Sequence, residues 1–249
     1  MKKIKLMKSS KKEKKVRYSN IVHFLHIVYR FIFQEECHWK IRKGKVKQSI
    51  FRIINKYDGK NILNDLEKIK ITLRMDLDFF MASDPASISK EEIILTYPGF
   101  YAIFAYRIAH YLDNLGISMI PRIITELAHS KTGIDIHPKA TIGYPFFIDH
   151  GTGIVIGETT IIGNEVRLYH GVTLGALNLE NTSDLHGVKR HPTIGDQVII
   201  YANATILGGN TLIGNQSTIG CCMLITRSVE ENTVLYVKNN QIIKKKKSH

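Results

Sequence analysis

The stretch that decides the fold is FFIDHGTGIVIGETT, from Phe146 to Thr160. It lies within a series in which aliphatic residues recur every six positions, a period that neither an α-helix nor an amphipathic strand produces. The aliphatic members of the series are Ile136, Ile142, Ile148, Ile154, Val166, Val172, Ile194, Ile200 and Ile206, and Thr160 is the exception. After one extra residue near Gly208 and Gly209, the series resumes at Ile213, Ile219 and Ile225. Such a hexapeptide repeat predicts short strands stacked in triangular coils around an aliphatic interior.

Two features interrupt this pattern, and both are candidates for function. Asp149 and His150 place an acid and an imidazole side by side between aliphatic positions. The segment TLGALNLENTSDLHGVKRHPT, residues 173–193, is too polar to line a coil, so we predict a loop excursion at residues 176–190. Loops that project from a rigid scaffold are frequent sites of chemistry.

The chain before the repeat has the period of helices. In YPGFYAIFAYRIAHYLDNLG, residues 97–116, apolar residues recur three or four positions apart, Pro98 suits a first turn and Gly116 suits a C-cap. Hexapeptide repeats are known to wind left-handed, against the usual rule for crossovers. We therefore predict the fold class α + β, with an N-terminal α-helical domain at residues 21–133 followed by a left-handed parallel β-helix of hexapeptide repeats at residues 134–237.

The net charge of +13 is concentrated at the two ends of the 249-residue chain. When the nine basic residues and the single acid Glu13 before position 20, together with the four lysines at 244–247, are set aside, 22 basic residues face 21 acidic ones. We interpret residues 1–20 as a disordered basic tail and residues 238–249 as a second basic tail, and we expect no nucleic-acid partner.

The compartment is predicted from what the sequence lacks. No apolar run is long enough to span a bilayer, so we expect no membrane association. The three cysteines, Cys37, Cys221 and Cys222, make a poor disulfide framework because their number is odd and two are adjacent. A reducing, cytoplasmic location fits this cysteine usage best.

Six motifs, in this order, resemble the serine O-acetyltransferases of the hexapeptide-repeat acyltransferase superfamily. They are SDPA (83–86), GFYAIFAYRIAHYL (99–112), IDIHPKATIG (134–143), DHGTGIVIGET (149–159), GVTLGA (171–176) and KRHPTIGD (189–196). The resemblance implies transfer of acetyl from acetyl-CoA to the hydroxyl of L-serine, giving O-acetyl-L-serine and CoA, the first step of cysteine biosynthesis from serine. It also implies a homotrimer with active sites between neighbouring β-helices, pairing of two trimers into a hexamer through the helical domains, and feedback inhibition by L-cysteine.

The resemblance also assigns the catalytic pair. His150 corresponds to the family's general base, which takes the proton from the serine hydroxyl as the thioester carbon is attacked. Asp135 corresponds to the residue that orients the imidazole. The two residues are 15 positions apart, three short of an 18-residue coil, so they can lie on adjacent coils.

Four residues resemble the family's amino-acid-binding set. A zwitterion requires carboxylates near its ammonium group, which Asp84 and Asp149 would supply. It also requires a cation near its carboxylate, for which Arg190 with His191 is suited because the guanidinium fork binds carboxylates bidentately. Asp84 would come from the helical domain, which gives that domain a role in the site.

Small residues are expected to line the path of acetyl-CoA. By the resemblance these are Gly175, Ala176, Ala202, Gly220 and Cys221, and their size permits close approach of the pantetheine arm. The sequence departs from the family at His170 and Ala176, where Gln and Gly are common, and these departures bear on cofactor affinity. We expect no metal site.

Three other interpretations remain open at this stage. One is a hexapeptide acetyltransferase with a different hydroxyl acceptor, and another is a trimeric scaffold without activity. The third is a zinc hydratase of the γ-carbonic-anhydrase kind, with His170, His186 and His191 as ligands.

The end of the chain bears on one further partner. The final residues Lys247, Ser248 and His249 lack the terminal isoleucine by which many family members dock into a sulfhydrylase. We therefore expect that complex to be weak or absent.

Overall fold

A computed structural model describes residues 16–54, 59–177, 188–238 and 241–246. In this part of the chain, six helices precede fifteen short strands. The helices are α1 (Tyr18–Ile32), α2 (Lys43–Ile53), α3 (Gly59–Ser83), α4 (Lys90–Thr96), α5 (Pro98–Asn114) and α6 (Ile120–Thr132). The strands are β1 (Asp135–Ile136), β2 (Thr141–Ile142), β3 (Phe146–Asp149), β4 (Val155–Ile156), β5 (Ile161–Ile162), β6 (Val166–Tyr169), β7 (Thr173–Gly175), β8 (Thr193–Ile194), β9 (Ile199–Ile200), β10 (Thr205–Leu207), β11 (Leu212–Ile213), β12 (Thr218–Ile219), β13 (Leu224–Ile225), β14 (Thr233–Lys238) and β15 (Gln241–Lys246).

The strands form three sheets that are the faces of a triangular prism, and all strand pairs are parallel except β14 with β15. The first sheet has the order β1-β4-β7-β10-β13, the second β2-β5-β8-β11, and the third β3-β6-β9-β12-β14-β15. The chain passes from the third sheet to the first at a corner that we name edge 1, and from the first sheet to the second at a corner that we name edge 2. Consecutive coils therefore place equivalent residues above one another along each edge, about 4.8 Å apart.

The interior of the prism contains two buried registers rather than one. Strand residues facing inward are six apart from Ile142 to Ile148, but the next inward strand residue is Ile156, eight positions on. The corner after β3 thus holds two extra residues. The six-residue aliphatic series continues through this corner in the sequence because Ile154 occupies the second buried register, two residues before the strand position.

A buried ion pair joins the helices to the prism. Asp76 of α3 is 0% exposed and accepts hydrogen bonds from Arg107 of α5, from Nε at 2.5 Å and from Nη2 at 2.8 Å. The same carboxylate accepts a bond from the backbone N–H of Phe146, the first residue of β3, at 2.9 Å. Arg107 Nη2 also donates to the carbonyl of Gly143 at 3.0 Å. Helices α3 and α5 are thereby fixed to the coil that ends in Asp149.

Close packing of α3 and α5 on β3 accompanies this ion pair. Phe80 of α3 packs edge-on against Phe147 of β3 with ring centroids 4.6 Å apart. Gly99 of α5 approaches β3 so closely that a Cβ there would lie 2.3 Å from the carbonyl oxygen of Ile148. The absence of a side chain at Gly99 therefore lets the helix rest directly on the strand.

Both ends of the described chain are more regular than the basic tails predicted from charge. Helix α1 begins at Tyr18, within the segment 1–20, and Gln241–Lys246 form β15, which pairs antiparallel with β14. The strand forms because Ile242 and Ile243 favour an extended chain next to an open sheet edge, and Lys244 and Lys246 pair with Glu230. Residues 247–249, on which the expectation about a sulfhydrylase rests, lie outside the described residues.

Across the described ranges, no helix combines the length and the apolar character that a bilayer crossing requires.

We predict that Asp76→Ala lowers the free energy of unfolding by about 3–5 kcal/mol, because it leaves the Arg107 guanidinium buried without its partner. Urea unfolding followed by circular dichroism measures this loss. Asp78→Ala on the same helix is the matched control, since Asp78 is exposed in its pair with Lys90 and should cost less than about 1 kcal/mol. Equal losses for the two variants would contradict the role given to Asp76.

Candidate active site

The long corner after β3 presents His150 at edge 1. His150 has a left-handed backbone conformation with φ of 55°, and its side chain is 75% exposed. Its Nε2 atom lies 3.8 Å from Asp149 Oδ1, and its ring meets the ring of His170, on the next coil, edge-on at 5.8 Å. Gly151 completes the corner, where a Cβ would lie 2.4 Å from Ile134 Cδ1. The imidazole therefore projects from the prism and is largely exposed to solvent.

Asp84 lies on the same edge because α3 ends at Ser83 above β3. Its Oδ1 atom accepts from the backbone N–H of Ala86 at 2.8 Å, and its Oδ2 atom accepts from the hydroxyl of Tyr97 at 2.6 Å. The hydrogen bond to Asp84, followed by burial, raises the pKa of Tyr97 to about 12, and the charge of Asp149 acts in the same direction. Asp84 and Asp149 thus direct negative charge into one region.

His191 lies on edge 2, where it is buried and fixed by Thr159. The backbone N–H of Thr159 donates to His191 Nδ1 at 3.1 Å, so Nδ1 is an acceptor and the neutral ring carries its proton on Nε2. Thr159 Oγ1 in turn accepts from the backbone N–H of His191 at 3.1 Å. Burial, and then the charges of Arg190 and Lys189, lower the pKa of His191 to about 4. His191 is therefore a neutral Nε2–H donor at physiological pH.

Arg190 stands beside His191 and is held by Glu158. Its Nη2 atom donates to Glu158 Oε2 at 2.5 Å, and its backbone N–H donates to Thr159 Oγ1 at 2.9 Å. Burial opposes ionisation of Glu158, but the hydrogen bonds from Arg190 and Lys139 outweigh it and lower the Glu158 pKa to about 2. The carboxylate keeps its charge and orients the guanidinium.

The residues predicted to line the path of acetyl-CoA divide between the two edges. Ala202, Gly220 and Cys221 lie on edge 1, in the corners after β9 and β12 and below His150. Gly175 ends β7 and Ala176 follows it, which places both on edge 2 with Arg190. Residues 178–187 of the predicted excursion lie outside the described residues.

The two edges cannot meet within one chain. The first sheet lies between them, and its extended segment from Gly153 to Gly157 spans roughly 13 Å. Edge 1 carries His150 with two carboxylates, whereas edge 2 carries the cation and the Nε2–H donor. Groups of opposite charge thus lie at the two edges of one sheet, which is the charge distribution that a zwitterion would require if the two edges came from different copies.

Asp135 faces outward from the first sheet, opposite Val155 on the coil that follows His150. Its nearest charged partner is Arg122, whose Nη1 atom lies 3.7 Å from Asp135 Oδ1. Among the described residues, no hydrogen bond joins Asp135 to His150. The orienting role of Asp135 therefore stays a prediction. Asp135 and His150 do lie on adjacent coils, as that role requires.

Two sets of side chains bear on a metal site. One ligand atom each from Glu126, His129 and Asp135 lies within 4.8 Å of the others, but the Arg122 guanidinium already contacts both carboxylates. His170 lies on edge 1 and His191 on edge 2, and His186 is outside the described part of the chain. These placements bring no zinc triad together within one chain.

Three side chains that contact the predicted site residues were not identified from the sequence: Tyr97, Glu158 and Thr159. Glu158 and Thr159 belong to the quoted motif DHGTGIVIGET, 32 residues before Arg190 and His191. The available signal was the spacing itself, which is close to one 18-residue coil plus the predicted loop excursion at residues 176–190. No sequence signal links Tyr97 to Asp84.

Comparison with known proteins identifies the family. No family model matches the chain. The plasmid serine acetyltransferase of Synechococcus elongatus is 51% identical over 167 residues, which are 66% of this chain and 52% of that protein. The serine acetyltransferase of Mycobacterium tuberculosis is 42% identical over 171 residues, 69% of this chain and 72% of the relative. The chain belongs to the serine acetyltransferase family.

The solved structures of serine acetyltransferases agree with this fold. Serine acetyltransferase 1 of Entamoeba histolytica, crystallised in complex with L-cysteine, matches with a TM-score of 0.75 and 38% identity, covering 90% of this chain and 88% of that one. The predicted fold class is confirmed. The chain spans about half the length of the Synechococcus serine acetyltransferase.

We predict that His191 makes stability depend on pH between about 6.5 and 4. In this window the unfolded chain binds a proton that the folded chain resists, so stability is lost as the pH falls. His191→Gln should remove part of this slope in urea midpoints measured from pH 7 to pH 4.5. Identical slopes for the wild type and His191→Gln would contradict the burial of a neutral imidazole.

Proposed function

We propose that the chain transfers an acetyl group from acetyl-CoA to the hydroxyl of L-serine, in a groove between edge 1 of one copy and edge 2 of a neighbouring copy in a homotrimer. The observation that carries this proposal is the division of complementary groups between two edges that one chain cannot bring together. A neighbouring copy supplies the missing half of each site, and cyclic symmetry repeats the groove three times.

L-Serine would be bound by charge at both ends. Its ammonium group is placed between Asp84 and Asp149, the two carboxylates of edge 1. Its carboxylate accepts hydrogen bonds from the neighbouring copy's edge 2, through the Arg190 guanidinium and His191 Nε2–H. Charge-assisted bonds of this kind fix the orientation of the amino acid and direct its side chain toward His150.

His150 would then act as the general base. Its exposed imidazole takes the proton from the serine hydroxyl as the oxygen attacks the thioester carbon of acetyl-CoA. The tetrahedral intermediate collapses with cleavage of the carbon–sulfur bond, and the imidazolium returns the proton to the CoA thiolate. Asp135 is assigned to the orientation of the ring and to stabilisation of its charged form.

Acetyl-CoA would descend along edge 1, with its thioester at His150. Ala202, Gly220 and Cys221 line this edge, and Gly175 and Ala176 of the neighbouring copy face them across the groove. Small residues on both walls leave room for the pantetheine arm. His170 lies directly below His150, so this departure from the family's usual Gln bears on the position of the thioester.

L-Cysteine is a natural competitor for this site. It presents the same ammonium and carboxylate groups as L-serine and replaces the hydroxyl with a thiol. The Entamoeba relative was crystallised with L-cysteine, which supports inhibition of this chain by the end product of the same biosynthetic route.

The choice of acceptor tests the proposed function directly. We expect release of the CoA thiol from acetyl-CoA to require L-serine, and homoserine, threonine and sugars to be poor acceptors, because the charge pairs fix the distance from the backbone of the amino acid to His150. Thiol release is followed with a chromogenic disulfide. A preference for any other acceptor would overturn the assignment and favour a different hexapeptide acetyltransferase.

We predict that His150→Asn lowers kcat by roughly 10²- to 10⁴-fold, the usual contribution of a general base. Asp135→Asn should give a smaller loss, and the double variant should be no worse than His150→Asn because Asp135 acts through His150. Steady-state kinetics with size-exclusion chromatography measure both activity and assembly.

Binding of CoA is the internal control for these variants, since neither residue is assigned to the cofactor path. An unchanged CoA affinity with lost turnover supports the assignment. A folded His150→Asn variant within about threefold of wild type would place the base elsewhere.

A further inference from the structure

The outer face of the third sheet carries an aligned column of residues along edge 1. Strand pairing sets Asp149 opposite Tyr169, and the register of β6 with β9 sets Tyr169 opposite Tyr201. Tyr201 N–H donates to the carbonyl of Ile219 at 2.9 Å, and Gly220 N–H donates to the carbonyl of Leu235 at 2.7 Å. These bonds continue the column through Gly220 to Tyr236.

Tyrosine side chains occupy successive levels of the column, except for one level that is occupied by a glycine. Tyr169 and Tyr201 are stacked, with ring centroids 4.9 Å apart and an interplanar angle of 24°. The next level is Gly220, which has no side chain, and the level after it is Tyr236. Tyr201 is 41% exposed although Tyr169 covers one of its faces. Because Gly220 has no side chain, a slot is left between the rings of Tyr201 and Tyr236.

The width of the slot suits one planar ring system. Two regular strand spacings separate Tyr201 from Tyr236, about 9.6 Å. Tyr236 lies closer to Gly220 than one regular strand spacing. A Cβ built on Gly220 would lie only 2.9 Å from Tyr236 Cβ. Two stacking contacts of about 3.5–4 Å each, one on either face of an inserted ring, need roughly 7–8 Å.

A cation lies next to Tyr236, one strand beyond the slot, because β15 pairs with the edge of β14 that faces away from β12. Lys245 of β15 pairs with Val234 on the outer face, and its Nζ atom lies 6.0 Å from the Tyr236 ring centroid. Its neighbours Lys244 and Lys246 alternate to the opposite face, where both contact Glu230. In the described ranges, no carboxylate pairs with Lys245.

The slot lies where the far end of the acyl donor would arrive. The level of Gly220 is three strand spacings below that of Asp149, about 14 Å along edge 1. A donor with its thioester at His150 and an extended pantetheine arm brings its nucleotide to this level. We propose that Tyr201 and Tyr236 bind the adenine ring of acetyl-CoA between them, over Gly220, and that Lys245 binds the phosphate groups of the same nucleotide. This inference rests on the proposed function, in that it takes acetyl-CoA as the donor.

Adenosine 3′,5′-bisphosphate, the nucleotide end of CoA, tests the slot without catalysis. Isothermal titration should show that Tyr236→Ala binds it about 5- to 100-fold more weakly than wild type, the range for loss of one stacked base. Tyr236→Phe keeps the ring and should bind as wild type does. Lys245→Ala should weaken binding, and Lys244→Ala, its neighbour on the opposite face, should not.

Kinetics with a truncated donor separate the slot from the reaction. With acetyl-CoA, Tyr236→Ala and Lys245→Ala should raise the donor KM. With S-acetylpantetheine, which lacks the nucleotide, their kcat/KM should equal that of wild type. Equal losses with both donors would assign the two residues to the fold and overturn the proposal.

The two proposals fail in different ways. If wild type acetylates L-serine but both variants bind adenosine 3′,5′-bisphosphate as tightly as wild type, the slot is wrong and the acetyltransferase stands. If the variants weaken nucleotide binding but wild type acetylates no acceptor, the slot stands as a nucleotide site and the proposed reaction is wrong.

Discussion

The buried ion pair between Asp76 and Arg107 is the constraint on which the rest of the structure depends. A carboxylate and a guanidinium removed from water are stable only when their hydrogen bonds are satisfied. Here three elements satisfy them: α3, α5 and the start of β3. The position of α3 relative to β3 is therefore fixed, and with it the distance between Asp84 and the corner that carries Asp149 and His150.

The prism aligns the corner residues of successive coils along its edges, and the predicted site residues lie on two of these edges. Every coil passes the same two edges, so residues far apart in sequence stand above one another at the strand spacing. Edge 1 receives His150 with Asp84 and Asp149, and edge 2 receives Arg190 and His191. Since the first sheet separates the edges, the function that we propose requires both sets of groups and therefore a neighbouring copy of the chain.

The sequence predicts the coil because the interior of a prism accepts only aliphatic residues at a fixed period. It does not reveal the two extra residues of the corner at Asp149. After an insertion of two residues, the aliphatic positions six apart fall in the second buried register, so the period in the sequence is unbroken. The contacts of Tyr97, Glu158 and Thr159 are also beyond prediction from one sequence, because each joins residues on different elements. The strand β15 was missed because four consecutive lysines indicate a solvated tail, and the pairing of alternate lysines with Glu230 depends on tertiary structure.

Mixed trimers give the most direct measurement of whether the site lies between copies. His150→Asn and Arg190→Ala chains, carrying different affinity tags, are co-expressed and the species with both tags is purified. Because each copy lends edge 1 to one neighbour and edge 2 to the other, every mixed trimer should contain one intact groove and recover about one third of wild-type activity. Activity no higher than the mean of the two parent variants would contradict a site shared between chains and place all of its groups within one.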